Sequence, residues 1–340
     1  MKKILTIGNG MQDIFIQYKE STDLNFHTKE NNNSYICIQA GKKIEIQNLL
    51  YYCGGGAANS AVSFARNNFE VSTFFKVGMD NAGDCIIKTL QQNNVSTTPI
   101  LRTDATPTGQ SFIFPGPQGN SPILIYRGAN NTLTKAELPE TLIAQADHLY
   151  ITSLSDYSSP LILPIVQYAK KHQTSVTVNP GSNQLQAGAQ FLIKALPYIN
   201  ILILNNHEAQ LMMASLLQEP LDEKSMLASF FNIIHGYGPN IIVVTHGAEG
   251  VYISDKKTIY FHPSIKTKIM STVGAGDAFG SCFVAHLLHN QPIETALRAG
   301  IINSASVIAH LDTQSGLLTN HEITTKLKLL DQSLLQTYTL

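Results

Sequence analysis

From about residue 54 onward the chain alternates short apolar runs with amphipathic stretches, and this rhythm restricts the folds open to it more than any other feature. Residues 72–77, His148–Ile151, Ser175–Val178, 201–204 and Ile241–Thr245 read as strands buried on both faces, whereas residues 57–68, 82–93 and 161–172 have helical spacing. The expectation is an α/β fold: a doubly wound, mostly parallel sheet flanked by helices. Ile4-Leu5-Thr6-Ile7, ending at Gly8, supplies a first buried strand, and residues 327–340 read as a terminal helix.

Two segments interrupt the rhythm. Residues 14–50 hold the polar run Asn31-Asn32-Asn33, then strand-like pieces at 35–39 and 43–47 around the turn Ala40-Gly41. Residues 99–127 hold strand-like 110–114, a turn through Pro115-Gly116-Pro117-Gln118-Gly119, and Ile123–Tyr126. These two insertions are expected to form a small β-sheet lid on a single domain spanning residues 1–340. Such a lid exposes a face unless it closes on a ligand or a second subunit, which suggests a homodimer through the lid.

The 340 residues, 44% of them hydrophobic, suffice for a large core, and 23 basic against 24 acidic residues create no field for nucleic acid or an anionic membrane. No stretch approaches the roughly 20 apolar residues of a membrane span, and the short run after Met1-Lys2-Lys3 is a poor signal peptide, so a cytoplasmic protein acting on a small molecule is expected. Cys37, Cys53, Cys85 and Cys282 lack metal-ligand or redox-motif spacing and read as reduced, mostly packed thiols.

Chemistry concentrates in three places. In Thr272-Val273-Gly274-Ala275-Gly276-Asp277 a two-glycine loop enters a helix over 278–288, so its amides can face an anion, and Asp277 is placed to take a proton from a hydroxyl attacking phosphorus. On spacing alone, Asp277 reads equally as a helix cap. Gly54-Gly55-Gly56-Ala57-Ala58-Asn59 opens another helix with small side chains and one amide suited to a polyol. Gly8-Asn9-Gly10-Met11-Gln12-Asp13 closes the first strand and brings Asp13 to the carboxyl edge of the sheet, where α/β ligands bind. No Walker A lysine follows the first loop, and no dinucleotide fingerprint follows the first strand, which argues against a dehydrogenase.

The order of these pieces, together with Gly78-Met79-Asp80 to Gly83, Asn205-Asn206-His207-Glu208 and Thr245-His246-Gly247 to Gly250, resembles the ribokinase-like (PfkB) carbohydrate kinases over nearly the whole chain. The resemblance implies ATP-dependent transfer of a phosphoryl group to a primary hydroxyl of a sugar or sugar-like molecule. It makes Asp277 the general base, and Gly274, Ala275 and Gly276 the hole for the transferred group. Asp13, Gly54, Gly55 and Asn59 would hold the acceptor. Asn205 and Glu208 would organise the ATP phosphates and Mg2+, the metal through water, as a hard cation that keeps its waters allows. Thr245, Gly247 and Thr272 would lie beside the nucleotide, and Asn303 near the adenine.

Departures qualify the resemblance. Ser271 stands where many relatives carry an acid, which weakens the expectation of a monovalent cation. Met11 and Gly56 replace an asparagine and a lysine of ribokinase proper, and Gly8-Asn9 and Asp13-Ile14 are similar to adenosine kinases, so a nucleoside acceptor stays open. Arg127 ends a lid strand and either faces an acidic or phosphorylated sugar or is solvated. A non-catalytic sugar or nucleotide sensor is the alternative of another class; the intact Asp277 and Gly-Ala-Gly loop speak against it.

Overall fold

A computed structural model describes residues 1–18, 40–41, 43–116, 121–217 and 226–340. Its principal sheet has ten strands, in the spatial order Gln336–Thr339, Thr258–His262, Val251–Ser254, Ile241–Thr245, Ile201–Asn205, Ser175–Val178, His148–Ile151, Lys3–Ile7, Glu70–Phe74 and Val95–Ser96. The strands from Val95–Ser96 across to Ile241–Thr245 are parallel, and the last three are antiparallel. Two apolar clusters, one on each side, bury the strands: Tyr150, Ile203 and Val243 share one with Phe64 and Phe283, while Leu149, Leu202 and Val244 share the other with Ile165 and Phe231. This is the doubly wound, two-faced sheet that the strand and helix rhythm implies.

The chain leaves Lys3–Ile7 toward Glu70–Phe74 on one side and later returns to His148–Ile151 on the other. The strand order therefore reverses at the first strand, and a crevice opens at the carboxyl ends of Lys3–Ile7 and His148–Ile151. Asn9 and Thr152 follow these two strands, with the Thr152 amide donating to the Ile7 carbonyl at 2.8 Å.

A separate four-stranded sheet, in the order Ile46–Gly54, Met11–Tyr18, Gln110–Ile113 and Ile123–Tyr126, stands over that crevice. The register places Asp13 beside Tyr52 and Ser111, and Ser111 beside Ile125, so these side chains share one face. The opposite face carries Leu49, Tyr51 and Leu124, which are 40%, 53% and 62% exposed.

Four expectations need adjustment. The small sheet starts at Met11 and runs to Gly54, beyond the 14–50 segment, because Met11–Gly54 is the first pair of an antiparallel ladder. Of the strand-like pieces, 43–47 becomes strand only from Ile46, and residues 35–39, 31–33 and 117–119, with Cys37, lie outside the described residues. The run 72–77 is two strands: Glu70–Phe74 joins the principal sheet, whereas Lys76–Gly78 pairs with Leu101–Thr103. The chain turns at Phe75, whose ring lies so close to Gly10 that a Cβ there would come within 2.2 Å of it. The helix expected at 327–340 is instead the end of helix Asn320–Leu327, a short turn and the strand Gln336–Thr339. The β-branched and aromatic residues there find a free ladder along Thr258–His262, and that long-range pairing outweighs local helical spacing.

Because that terminal strand is solvent-exposed on its outer side, its worth lies in covering the sheet edge. Deleting residues 336–340 should make the amides of Thr258–His262 exchange faster by hydrogen–deuterium exchange while leaving those of Ile201–Asn205 slow. Unchanged exchange along Thr258–His262 would refute the pairing.

Candidate active site

Between the small sheet and the principal sheet lies a cleft of about 350 Å³. Asp277 stands in it on the first turn of the helix Ala275–Leu288. The helix begins at Gly274, which has φ of +80° and whose Cβ would lie 2.8 Å from Thr313, so two independent constraints require glycine there. By helix geometry the first-turn amides lack intrahelical acceptors and point into the space above the loop. Gly274 and Gly276 line the cleft, and a Cβ on Gly276 would meet no atom within 4 Å. Ala275 does not line it: its amide turns back toward the Thr272 carbonyl at 3.3 Å.

The Asp277 carboxylate is fixed from one side. Its Oδ2 accepts from Nδ2 of Asn59 at 2.9 Å. Oδ1 of Asn59 in turn accepts from the Thr313 hydroxyl at 2.8 Å and from Nε2 of Gln314 at 3.2 Å, which sets the orientation of the amide. Asn59 therefore spends one end of its amide holding Asp277 and the other holding the 312–314 loop, a different arrangement from direct acceptor binding through both ends. Burial raises the Asp277 pKa above the ordinary carboxylate range, and the Asn59 hydrogen bond opposes that rise.

Asp13 faces the same space from the small sheet and is 4% exposed. Burial pushes its pKa up to about 7; hydrogen bonding to Ser111 opposes the shift, and the charges of Asp277 and Asp312 add to it. Gly54 lies flat against this carboxylate, since a Cβ there would be 1.9 Å from Oδ2 of Asp13. Gly54 thus makes room for the acid without itself lining the cleft, whereas Gly55 and Asn59 do line it.

Asn205 and Glu208 come from the carboxyl end of Ile201–Asn205 and the start of the next helix, Asn206–Leu217. The Glu208 amide donates to Oδ1 of Asn205, and the Asn205 amide donates to Oε2 of Glu208, both at 2.9 Å. This reciprocal capping box, with Ser182 donating to Oε1 at 3.2 Å, gives the Asn-x-x-Glu spacing a structural cause. Glu208 nonetheless lines the cleft, and burial raises its pKa. Among the described residues no group of three or more His, Cys, Asp or Glu could hold a metal ion. The donor set suits a hard divalent cation that keeps most of its waters and touches the protein through one carboxylate.

The remaining expected residues divide. Thr245 and Arg127 line the cleft. Gly247 and Thr272 do not, although both sit in loops at its margin. Asn303 is buried behind the site, its Nδ2 donating to the Ala278 carbonyl and its Oδ1 accepting from the Leu318 amide, both at 2.9 Å. Both ends of that amide are occupied, tying the helix Ala275–Leu288 to Leu318 in the loop before Asn320–Leu327, and the residue does not line the cleft. Ser271 is buried, and its hydroxyl accepts from the Val273 amide at 3.2 Å, shaping the loop. Cys53 and Cys282 are buried thiols and Cys85 is exposed.

Sequence reasoning missed Asn9, Thr152, Ser153, Asn179, Gly181 and Thr313 in the lining. Thr152 and Asn179 each follow a parallel strand directly, so the carboxyl-edge rule could have found them. Nothing local marks Thr313, whose place depends on a return of the chain across more than 250 positions to Asn59.

Comparison with known proteins gives the geometry a class. The sequence matches the model of the pfkB family of carbohydrate kinases over residues 21–320. A ribokinase of Haemophilus influenzae is 28% identical over 286 residues, covering 83% of this chain and 89% of its own length. A 5-dehydro-2-deoxygluconokinase of Bacillus subtilis is 27% identical over 283 residues, covering 80% and 85%. The solved structure of Arabidopsis thaliana ribokinase complexed with ribose and ATP superposes with a TM-score of 0.78 at 17% identity, covering 96% of this chain and 99% of that one. The fold is that of the ribokinases. The chain belongs to the pfkB family of carbohydrate kinases, and is a sugar kinase by that membership. No described helix is long and apolar enough to cross a membrane.

The raised pKa of Asp13 makes stability pH-dependent. A carboxyl whose folded pKa, about 7, exceeds its ordinary value of 3.8 favours the fold fully below 3.8, and that contribution is lost as pH rises through 7. Asp13→Asn removes the titration, so its stability relative to the wild type should rise with pH, by about 4 kcal/mol at most at pH 8 and less than half of that at pH 5. Urea unfolding at the two pH values measures the difference, and a pH-independent offset would contradict burial of the acid.

Proposed function

We propose that the protein transfers the γ-phosphoryl group of ATP to a primary hydroxyl of a sugar or sugar-like molecule, with Asp277 as general base. The observation that carries this reading is the Asn59–Asp277 pair: Oδ2 is held, and Oδ1 remains without a hydrogen-bond partner among the described residues, in a cleft that Asp13 faces from the other side. Oδ1 takes the proton of the acceptor hydroxyl while the hydroxyl oxygen bonds to the γ-phosphorus. The bond from that phosphorus to the bridging oxygen breaks, and ADP leaves with its electrons. Amides at the bare backbone of Gly274 and Gly276 stabilise charge on the transferred group.

The ribose and ATP complex of the Arabidopsis relative supports the choice of nucleotide. Asn205, Glu208 and Thr245 line the nucleotide side, with Gly247 and Thr272 at its margin. Glu208 would hold Mg2+ through water, and the ion would supply neutralisation of phosphate charge. Asp13, Gly55 and the remaining amide hydrogen of Asn59 serve the acceptor, and Gly54 keeps Asp13 in place. The small sheet acts as a lid that excludes water during transfer, and its apolar outer face supports pairing of two copies through it. A nucleoside acceptor is the second reading within the family, favoured by Met11, buried and apolar in the cleft wall.

Purified protein with magnesium and ATP should release ADP in response to some members of a panel of sugars and nucleosides; silence across the panel would sink the proposal. Asp277→Asn should lower kcat by about 100- to 10,000-fold while ATP still binds, an outcome a sensor would not produce.

A finer test uses Asn59→Ala. Asp277 works ionised, so activity falls as pH drops through its pKa, and removing the Asn59 hydrogen bond raises that pKa further. The acid limb of the kcat profile should move up by about one pH unit. An unmoved limb would mean that Asp277 is not the titrating base.

A further inference from the structure

The chain contains four arginines, Arg66, Arg102, Arg127 and Arg298. Arg66 donates to the carbonyls of Gln314 and Leu317 and to Oδ1 of Asn93. Arg102 meets Asp84 at 2.6 Å, and Arg298 donates to the carbonyls of Leu327 and Leu330. The guanidinium of Arg127, by contrast, has no hydrogen bond or ion pair among the described residues, although the residue is partly buried and lines the cleft. Burial lowers its pKa, and Asp156 is the compensating charge nearby, yet the two are not in contact. Leaving a cation half-desolvated with no acceptor costs free energy that an incoming anion would recover.

Its position tells which anion. Asp13, Ser111 and Ile125 form one cross-strand row on the cleft-facing side of the small sheet, and Arg127 lies on that same side, two residues beyond Ile125. Its companions there are Met11, Ile113, Ile123 and Ile125, apolar groups that cannot read a hydroxyl. The residues assigned to the nucleotide come from strands on the far side of the crevice. Arg127 therefore faces the acceptor end.

Resting on the phosphotransferase reading of the same cleft, we infer that the acceptor is an anionic polyol: its hydroxyls meet Asp13 and Asn59, and a carboxylate or phosphate group on it pairs with Arg127. A planar guanidinium binds either anion in bidentate fashion, so the chemistry is shared, and paired ligands separate the two.

The test is calorimetric titration without nucleotide, using an aldonate beside its alditol and a sugar phosphate beside its parent sugar, with wild type, Arg127→Gln and Arg127→Lys. ADP release with magnesium and ATP is measured in parallel. Wild type should bind the anionic member of at least one pair about tenfold or more tighter than the neutral one. Arg127→Gln should reduce that preference to about threefold or less, and Arg127→Lys should restore part of it. The pair that discriminates identifies carboxylate or phosphate. Circular dichroism and the lysine variant guard against misfolding. The inference is overturned if no anionic member outbinds its neutral partner, if Arg127→Gln weakens both members equally, or if its main effect is on ATP affinity. Turnover of neutral sugars without discrimination would leave the phosphotransferase reading standing and remove this one. Arg127-dependent binding without ADP release would do the reverse.

Discussion

One side-chain amide joins the parts of the molecule on which the site depends. Asn59 sits on the helix Gly56–Arg66, grips Asp277 on the helix Ala275–Leu288, and is itself gripped by Thr313 and Gln314. Its two ends are chemically distinct, so donors at Oδ1 force the NH2 group toward the carboxylate. The bare backbone at Gly56 follows from this, because a side chain there would crowd the contact. A Cβ on Gly56 would already lie 3.3 Å from Oδ1 of Asp277.

Placing acids in such a closely packed space sets their proton affinities. Asp13, Asp277 and Glu208 are all shifted upward, and in each case burial is the main cause. The oppositions differ, however: a serine hydroxyl for Asp13, a primary amide for Asp277 and a helix-capping network for Glu208. Similar residues in one crevice are thereby raised by the same burial against different opposing contacts.

Much of this was legible in the chain. Strand rhythm marked the parallel sheet because each strand is buried on both faces and must be apolar along its length. The segment from Gly274 to Asp277 showed a helix start with an acid, since a left-handed turn leaves glycine as its signature. Harder to see was whatever depends on distant parts of the chain meeting. Phe75 turns the chain because it packs beneath Gly10, and residues 336–339 form a strand because an unpaired edge awaits them. The engagement of Asn303 by Ala278 and Leu318 likewise has no local trace. The Asn-x-x-Glu spacing is ambiguous for a different reason: the structure realises it as a capping box, and the proposed phosphate-side role calls on the same two residues.

The small sheet leaves apolar side chains uncovered on both faces, with Ile123 and Ile125 at 37% and 47% exposure toward the cleft and Leu124 at 62% on the reverse. Such surface is what proteases and misassembled neighbours find first. A ligand that fills the cleft covers the inner isoleucines and stabilises the native state by mass action. Persistence of the folded chain would thereby depend in part on how often the cleft is occupied.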